Sequence, residues 1–202
     1  MYQDEHKFAA GPWWQSADSK WRTIAHFFGL SILAAVVVVG SVLAAPGWPG
    51  VFGAFLGLLM VAVAMIDGRH FIIPNSLTMT TLALGLFDAA LADGYMGVAA
   101  GLLRGGVLAF AFLALRTGYQ WFRGRAGIGL GDVKLAGAGG VWLGWTMLPL
   151  AVEIAALAAL AAYALRWLAG RRVRRLTRVP FGLFFAPAIW LAWLIQAALS
   201  IG

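Results

Sequence analysis

Long apolar stretches follow one another along most of this 202-residue chain. A helix needs about 20 predominantly apolar residues to cross the hydrocarbon core of a bilayer. No alternation typical of strands competes with these stretches, and in lipid only helices and closed barrels satisfy their backbone hydrogen bonds. The sequence therefore predicts an all-α, polytopic membrane helix bundle. Its seven predicted spans are 24–45, 49–66, 76–92, 95–115, 129–148, 149–168 and 181–200.

The composition excludes several classes of soluble protein. Apolar side chains make up 62% of the chain and charged side chains 11%, whereas an ordinary soluble domain has about 45–50% and about 25%. The chain contains no Cys, which excludes disulfides, thiol catalysis and Cys-ligated zinc. The 3 His residues form no cluster with metal-ligand spacing, so neither a metal nor a cofactor is predicted.

The basic residues indicate how the spans are oriented. The formal net charge is +7, and in the predicted topology every Lys and Arg except Arg104 falls on one side of the membrane. Cytoplasmic loops collect Lys and Arg, so we expect a cytoplasmic N-terminus, a periplasmic C-terminus and no nucleic-acid partner. The predicted divisions are a cytoplasmic tail (1–23), an extra transmembrane helix with its turn (24–48) and a six-helix core (49–202).

Two of the carboxylates near the spans are predicted to meet. Asp67 ends the second span and Asp132 opens the fifth, so the topology places both at the same cytoplasmic depth. The alternative is that each is a helix-end carboxylate that pairs with a nearby cation, Arg69 or Lys134. The helix dipole disfavours a negative charge at the end of a helix and favours one at its start. Asp132 is therefore expected to be the ionised member of the pair.

Three motifs surround these aspartates. The segment Gly129-Leu130-Gly131-Asp132 resembles the GxGD signature of type IV prepilin peptidases, which are intramembrane aspartyl proteases. Asp67 followed by Ile73-Pro74-Asn75 resembles the other half of that signature, and Pro180-Phe181-Gly182 resembles the closing motif of the family. The motifs occur in the family's order, and the resemblance covers roughly residues 49–200.

The resemblance implies an activity and a set of site residues. It implies an aspartyl endopeptidase of the bacterial inner membrane, with Asp67 and Asp132 as its catalytic pair. The implied substrate is a prepilin or pseudopilin with a basic leader and a hydrophobic helix, cleaved at the cytoplasmic face. Because the methyltransferase region of bifunctional members carries four cysteines and this chain has none, a peptidase-only member is expected. The residues expected to shape the site are Gly129, Gly131, Lys134, Arg69, Pro74, Asn75, Pro180 and Gly182.

Departures from the family pattern leave two alternatives open. Leu183 stands where many members have a second Pro, and the GLGD string also resembles presenilins and signal peptide peptidases. Those proteases carry Tyr before the first aspartate, whereas Ile66 precedes Asp67 here, and this favours the prepilin peptidases. The alternatives are a signal-peptide-peptidase-like protease with the same aspartate pair and a small transporter that uses the pair as a proton or cation site.

The remaining polar groups in the spans are given structural roles. Arg104 lies near the centre of the fourth span, and a long Arg side chain can reach towards the interface. A structural ion pair of Arg104 with Asp88 or Glu153 is therefore predicted. Pro74-Asn75 is predicted to cap the third span, with the Asn side chain accepting backbone N–H groups. The basic cluster Arg171–Arg178 is expected to contact anionic lipid.

Overall fold

The computed structural model describes residues 13–124, 127–170 and 180–200, and within these ranges the chain is helical and contains no strand. This confirms the predicted all-α helix bundle. The basic cluster Arg171–Arg178 and residues 1–12 of the predicted tail lie outside the described residues. The helices are α1 (Trp13–Ala44), α2 (Trp48–His70), α3 (Asn75–Arg123), α4 (Leu130–Trp142), α5 (Met147–Leu168) and α6 (Gly182–Ser200).

Among these described helices, α2, α3, α5 and α6 are long and apolar enough to cross a membrane, and α1 contributes the shorter apolar segment Phe28–Ala44. The chain divides into two compact units, Met1–Val36 and Val37–Gly202. The first unit contributes the first part of α1, and every contact discussed below lies within the second unit. The division of the sequence into a tail, an extra helix and a six-helix core stays a prediction.

Helix α3 contains two of the predicted spans because it is broken near its middle. Asp93 and Gly94 have non-helical backbone angles, and Gly94 has a φ of 59° and a ψ of −140°, a conformation that glycine adopts without steric penalty. Gly97 lies so close to the Ala89 carbonyl that a Cβ there would clash with it. The break therefore separates 76–92 from 95–115 and brings the ends of the two helical halves close together.

Two predicted boundaries are wrong. The second half of α3 continues to Arg123, so residues 116–123 are helical where a loop was predicted. The predicted fifth span, 129–148, is instead the 13-residue helix α4, which rises about 20 Å and is too short to cross an apolar core of about 30 Å. Leu143 is extended after α4, and the Gly144 N–H donates to Gln196 Oε1 at 2.6 Å. This hydrogen bond satisfies a backbone group that the break leaves outside a helix.

The helices of the second unit pack in two groups. In the first group α4 lies along α3, and a Cβ on Gly140 would lie 2.9 Å from the Cα of Gly105. Small residues allow membrane helices to approach this closely. In the second group α6 packs against both α2 and α5, and Gly53 of α2 leaves room for the Trp193 ring. Contact between the groups is less extensive and is made by α2 with α3 and by α4 with α6.

Candidate active site

Asp67 lies near the C-terminal end of α2 and is buried, with 5% of its surface exposed. Its Oδ2 accepts a 3.0 Å hydrogen bond from the backbone N–H of Leu183, in the first turn of α6. A Cβ on Gly182 would lie 2.8 Å from the same carboxylate oxygen. The absence of a side chain at Gly182 therefore allows α6 to approach closely enough to present the Leu183 N–H to Asp67.

Asp132 lies in the first turn of α4 and is half-buried. Its Oδ2 accepts a 3.1 Å hydrogen bond from the backbone N–H of Gly129, the residue before the helix. Burial raises the pKa of Asp132 to about 6, this hydrogen bond acts in the opposite direction, and the neighbouring Asp67 carboxylate adds to the rise. The two carboxylates therefore lie close enough to influence each other's charge.

Both aspartates face the same space. They line a cavity of about 760 Å³, here called the carboxylate cavity, and they also line a smaller one of about 250 Å³. The carboxylate cavity is bounded by both groups of helices, with Arg116 from α3, Tyr163 from α5 and Pro180 from the segment before α6. The structure thus brings together two acidic side chains that are distant in sequence, as the topology predicted.

Most of the residues expected to shape the site lie around this pair. Gly182 contacts Asp67, as described above, and Pro180 lines the carboxylate cavity. Arg69 is exposed at the end of α2, and Pro74 precedes α3; neither lines the two cavities. Those that line the smaller cavity are Gly129, Gly131, Lys134 and Asn75, and Gly129 also lines the larger one.

The predicted role of Asn75 as a cap is wrong. Pro74 is the N-cap residue of α3, and no side chain caps the helix. The Oδ1 of Asn75 instead accepts a 2.9 Å hydrogen bond from Lys134 Nζ. Asn75 and Lys134 thus join the start of α3 to the start of α4 beside the aspartates.

The predicted ion pair of Arg104 does not form among the residues that the structure describes. The Arg104 NH2 group donates to the Val141 carbonyl at 3.4 Å, and the buried Nε has no hydrogen-bond partner. Asp88 and Arg104 line a third cavity of about 550 Å³, here called the Arg104 cavity, at the other end of α4. Glu153 is exposed on α5, whose main packing partner is α6 and not the helix that carries Arg104.

Two residues at the site were missed by sequence reasoning. Arg116 lines the carboxylate cavity, and its NH1 donates to the carbonyl oxygen of Ile128. The sequence prediction places residue 116 in a loop and treats its charge only as a sign of orientation; the largely apolar stretch around it is the signal for a longer helix. Phe71 ends α2 with a φ of 56° and lines both cavities, and no residue type in its neighbourhood predicts that conformation.

Comparison with protein families identifies the chain. The model of the type IV leader peptidase family matches residues 54–165, a segment that includes both aspartates. The chain belongs to the type IV leader peptidase family.

Individual relatives agree with this family. The prepilin leader peptidase/N-methyltransferase of Aeromonas salmonicida (strain A449) is 31% identical over 171 residues, which are 82% of this chain and 55% of the relative. The protein of the same name from Pseudomonas aeruginosa is 34% identical over 172 residues, which are 80% of this chain and 56% of the relative. The chain thus spans about half the length of these curated relatives. No solved structure matches it.

Proposed function

We propose that the chain is an intramembrane aspartyl endopeptidase that removes leader peptides from type IV prepilin or pseudopilin precursors at the cytoplasmic face of the inner membrane. The observation that carries the proposal is that Asp67 and Asp132, from different helix groups, line one cavity of about 760 Å³. The names of the relatives, prepilin leader peptidase/N-methyltransferase, support a prepilin as the class of substrate.

Two neighbouring carboxylates provide the acid and the base that peptide hydrolysis needs. Because both cannot ionise easily at close range, they share one proton and titrate as a pair. The ionised carboxylate takes a proton from water as the water oxygen bonds to the peptide carbonyl carbon, and the protonated carboxyl gives its proton to the carbonyl oxygen. A proton then passes to the amide nitrogen and the C–N bond breaks. One water is consumed, and a new carboxyl group and a new amine are formed.

In this proposal Asp132 is the ionised partner and Asp67 holds the shared proton. Asp132 lies in the first turn of α4, where the helix dipole and the Gly129 N–H stabilise a negative charge. As a residue, Asp132 is also less buried than Asp67, so water from the cavity reaches it more readily. Asp67 is then left to protonate the carbonyl oxygen of the substrate.

The walls of the carboxylate cavity suit a substrate that is anchored in the membrane. Helix α5 packs against α6, and its Ala156, Ala159 and Leu160 line the cavity. These small or apolar side chains fit the hydrophobic helix of a precursor. The aspartates lie at the ends of α2 and α4, which fits a scissile bond at the end of such a helix and not in its middle.

Substitution of the two aspartates tests the proposal. Purified Asp67→Asn and Asp132→Asn variants, mixed with a type IV prepilin, should each cleave at least about 1,000-fold more slowly than the unmodified protein, because an amide cannot share the proton. Loss of the leader is followed by mass spectrometry of the new N-terminus. Asp88→Asn, which removes a carboxylate from the Arg104 cavity, is the matched control and should retain the unmodified rate. Normal cleavage by either active-site variant would contradict the aspartyl mechanism.

A further inference from the structure

Arg116 reaches Asp132 through a single peptide group. Its NH1 donates a hydrogen bond to the carbonyl oxygen of Ile128. The N–H of that same peptide group, which belongs to Gly129, donates to Asp132 Oδ2 at 3.1 Å. A guanidinium, one loop peptide and a carboxylate thus form a continuous chain of hydrogen bonds that ends in the carboxylate cavity.

This arrangement strengthens the hydrogen bond that the Gly129 N–H donates to the Asp132 carboxylate. Successive hydrogen bonds polarise one another, and both ends of this chain carry a full charge, which makes each hydrogen bond stronger than a neutral one. A cation on the Ile128 carbonyl therefore makes the Gly129 N–H a better donor to Asp132 Oδ2. It also fixes the orientation of a peptide that lies outside both α3 and α4.

We propose that Arg116 is a positioning residue, which acts through the Ile128–Gly129 peptide to hold Asp132 ionised and directed into the carboxylate cavity. The inference rests on the proposed function, since it assigns Arg116 a part in the same reaction. Lys134, by contrast, donates its hydrogen bond to the side chain of Asn75.

Several neighbouring helices contribute groups that bear on the charge of Asp132. Among the described residues, the titratable or charged side chains that line its two cavities are Asp67 from α2, Arg116 from α3, Lys134 from α4 and Tyr163 from α5. The segment that leads into α6 contributes Pro180 and Phe181, which carry no charge. Of these described cations, Arg116 donates a hydrogen bond to the peptide group that binds Asp132.

Variants of Arg116 separate a positioning role from a structural one. Arg116→Met should lower kcat by about 10- to 100-fold with KM within about threefold, because a displaced carboxylate lowers the rate more than it weakens binding. A weaker Gly129 hydrogen bond stabilises ionised Asp132 less and raises its pKa, so the acid limb of the kcat profile should move up by about 0.5 to 1 pH unit. Arg116→Lys should restore part of both effects, since its ammonium group can donate to the same carbonyl.

The matched control is Arg123→Met, which removes the same charge from the last turn of α3, at an exposed residue that lines neither cavity. It should keep the kcat and the pH profile of the unmodified protein. Backbone hydrogen exchange at Gly129 gives a readout without substrate: it should become faster in Arg116→Met and stay unchanged in Arg123→Met. Size-exclusion chromatography checks that each variant is folded.

Three outcomes would overturn the inference. The first is that Arg116→Met leaves both the acid limb and the exchange at Gly129 unchanged. The second is that it raises KM alone, which would make Arg116 a substrate contact. The third is that Arg123→Met has an equal effect. If the unmodified protein cleaves no prepilin, the proposed function fails, and with it the catalytic part assigned to Arg116. The exchange at Gly129 then still decides whether Arg116 holds the loop peptide. If Arg116→Met does not fold, the comparison of Arg116→Lys with the unmodified protein decides it.

Discussion

The two ends of α4 face cavities that both contain charged side chains but hold them differently. At the start of α4, each aspartate of the carboxylate cavity accepts a backbone N–H, from Leu183 for Asp67 and from Gly129 for Asp132. At the end of α4, Arg104 makes a long contact to a carbonyl, and its buried Nε has no hydrogen-bond partner among the described residues. The carboxylates of the first cavity are thus held by short hydrogen bonds, whereas the guanidinium of the second is held by a long hydrogen bond.

The polarity of α4 accounts for the sign of the charge at each end. Free N–H groups at the start of a helix favour carboxylates, and free carbonyls at its end favour cations. Asp132 lies in the first turn, and Arg104 contacts the carbonyl of Val141, in the last turn. The two ends of α4 thus have the charges that its polarity favours, whereas Asp67, at the C-terminal end of α2, is held by the Leu183 N–H at the start of α6.

Among changes outside the two aspartates, the largest effect is expected at the start of α6. In Gly182→Ala the new Cβ would lie 2.8 Å from Asp67 Oδ2 and 2.9 Å from Ile73 Cδ1, so the carboxylate or the Leu183 N–H must move. Prepilin cleavage should fall by about 100-fold, as expected for a small displacement of a catalytic group. The control is Gly106→Ala on α3, where a Cβ meets no atom within 4 Å. Equal rates for the two variants in a mass-spectrometric cleavage assay would show that the placement of Asp67 is not critical.

An intermediate effect, on stability and not on rate, is expected at the Arg104 cavity. In Gly85→Ala the Cβ would lie 2.5 Å from Trp142 Nε1, which donates to the Thr81 carbonyl at 3.0 Å. Displacement of this ring should lower the free energy of unfolding by about 1–3 kcal/mol, measured by denaturant unfolding in detergent. The cleavage rate per folded molecule should remain within about twofold of the original, since such a change is felt locally. A large loss of rate would show that the two cavities are coupled.

The smallest effect is expected from the charges of the Arg104 cavity themselves. Because Arg104 and Asp88 form no ion pair among the described residues, Arg104→Leu and Asp88→Asn should change the free energy of unfolding additively, with a coupling energy below about 0.5 kcal/mol. A double-mutant cycle from unfolding curves measures this coupling. A value above about 1 kcal/mol would show that the two side chains pair in the folded protein and would make the two ends of α4 more alike.

The helical class and the position of the aspartate pair could be predicted from the sequence because both follow from hydropathy. Two predicted spans between Asp67 and Asp132 return the chain to the same side, and the break at Asp93 and Gly94 preserves that arrangement in the structure. The lengths of the apolar stretches thus predict which end of the bundle each carboxylate occupies.

The length of α4 and the role of Asn75 could not be predicted, because distant partners determine both. Apolar residues continue through Leu143, so hydropathy shows no break there; the break is held by Gln196, whose Oε1 binds the Gly144 N–H. Asn75 precedes a helical stretch as a capping residue would, yet its amide accepts from Lys134. In both cases the hydrogen-bond partner is a side chain more than fifty positions away in the sequence, which local sequence patterns do not predict.

The separation of the helices into two groups has a consequence for the aspartate pair. Asp67 belongs to the group of α2, α5 and α6, and Asp132 belongs to the closely packed pair of α3 and α4. A rocking of one group against the other would leave the packing inside each group intact and would still alter the spacing of the carboxylates. In the proposed mechanism, proton sharing depends on this spacing, so a precursor helix that entered between the two groups would change the pKa of both aspartates.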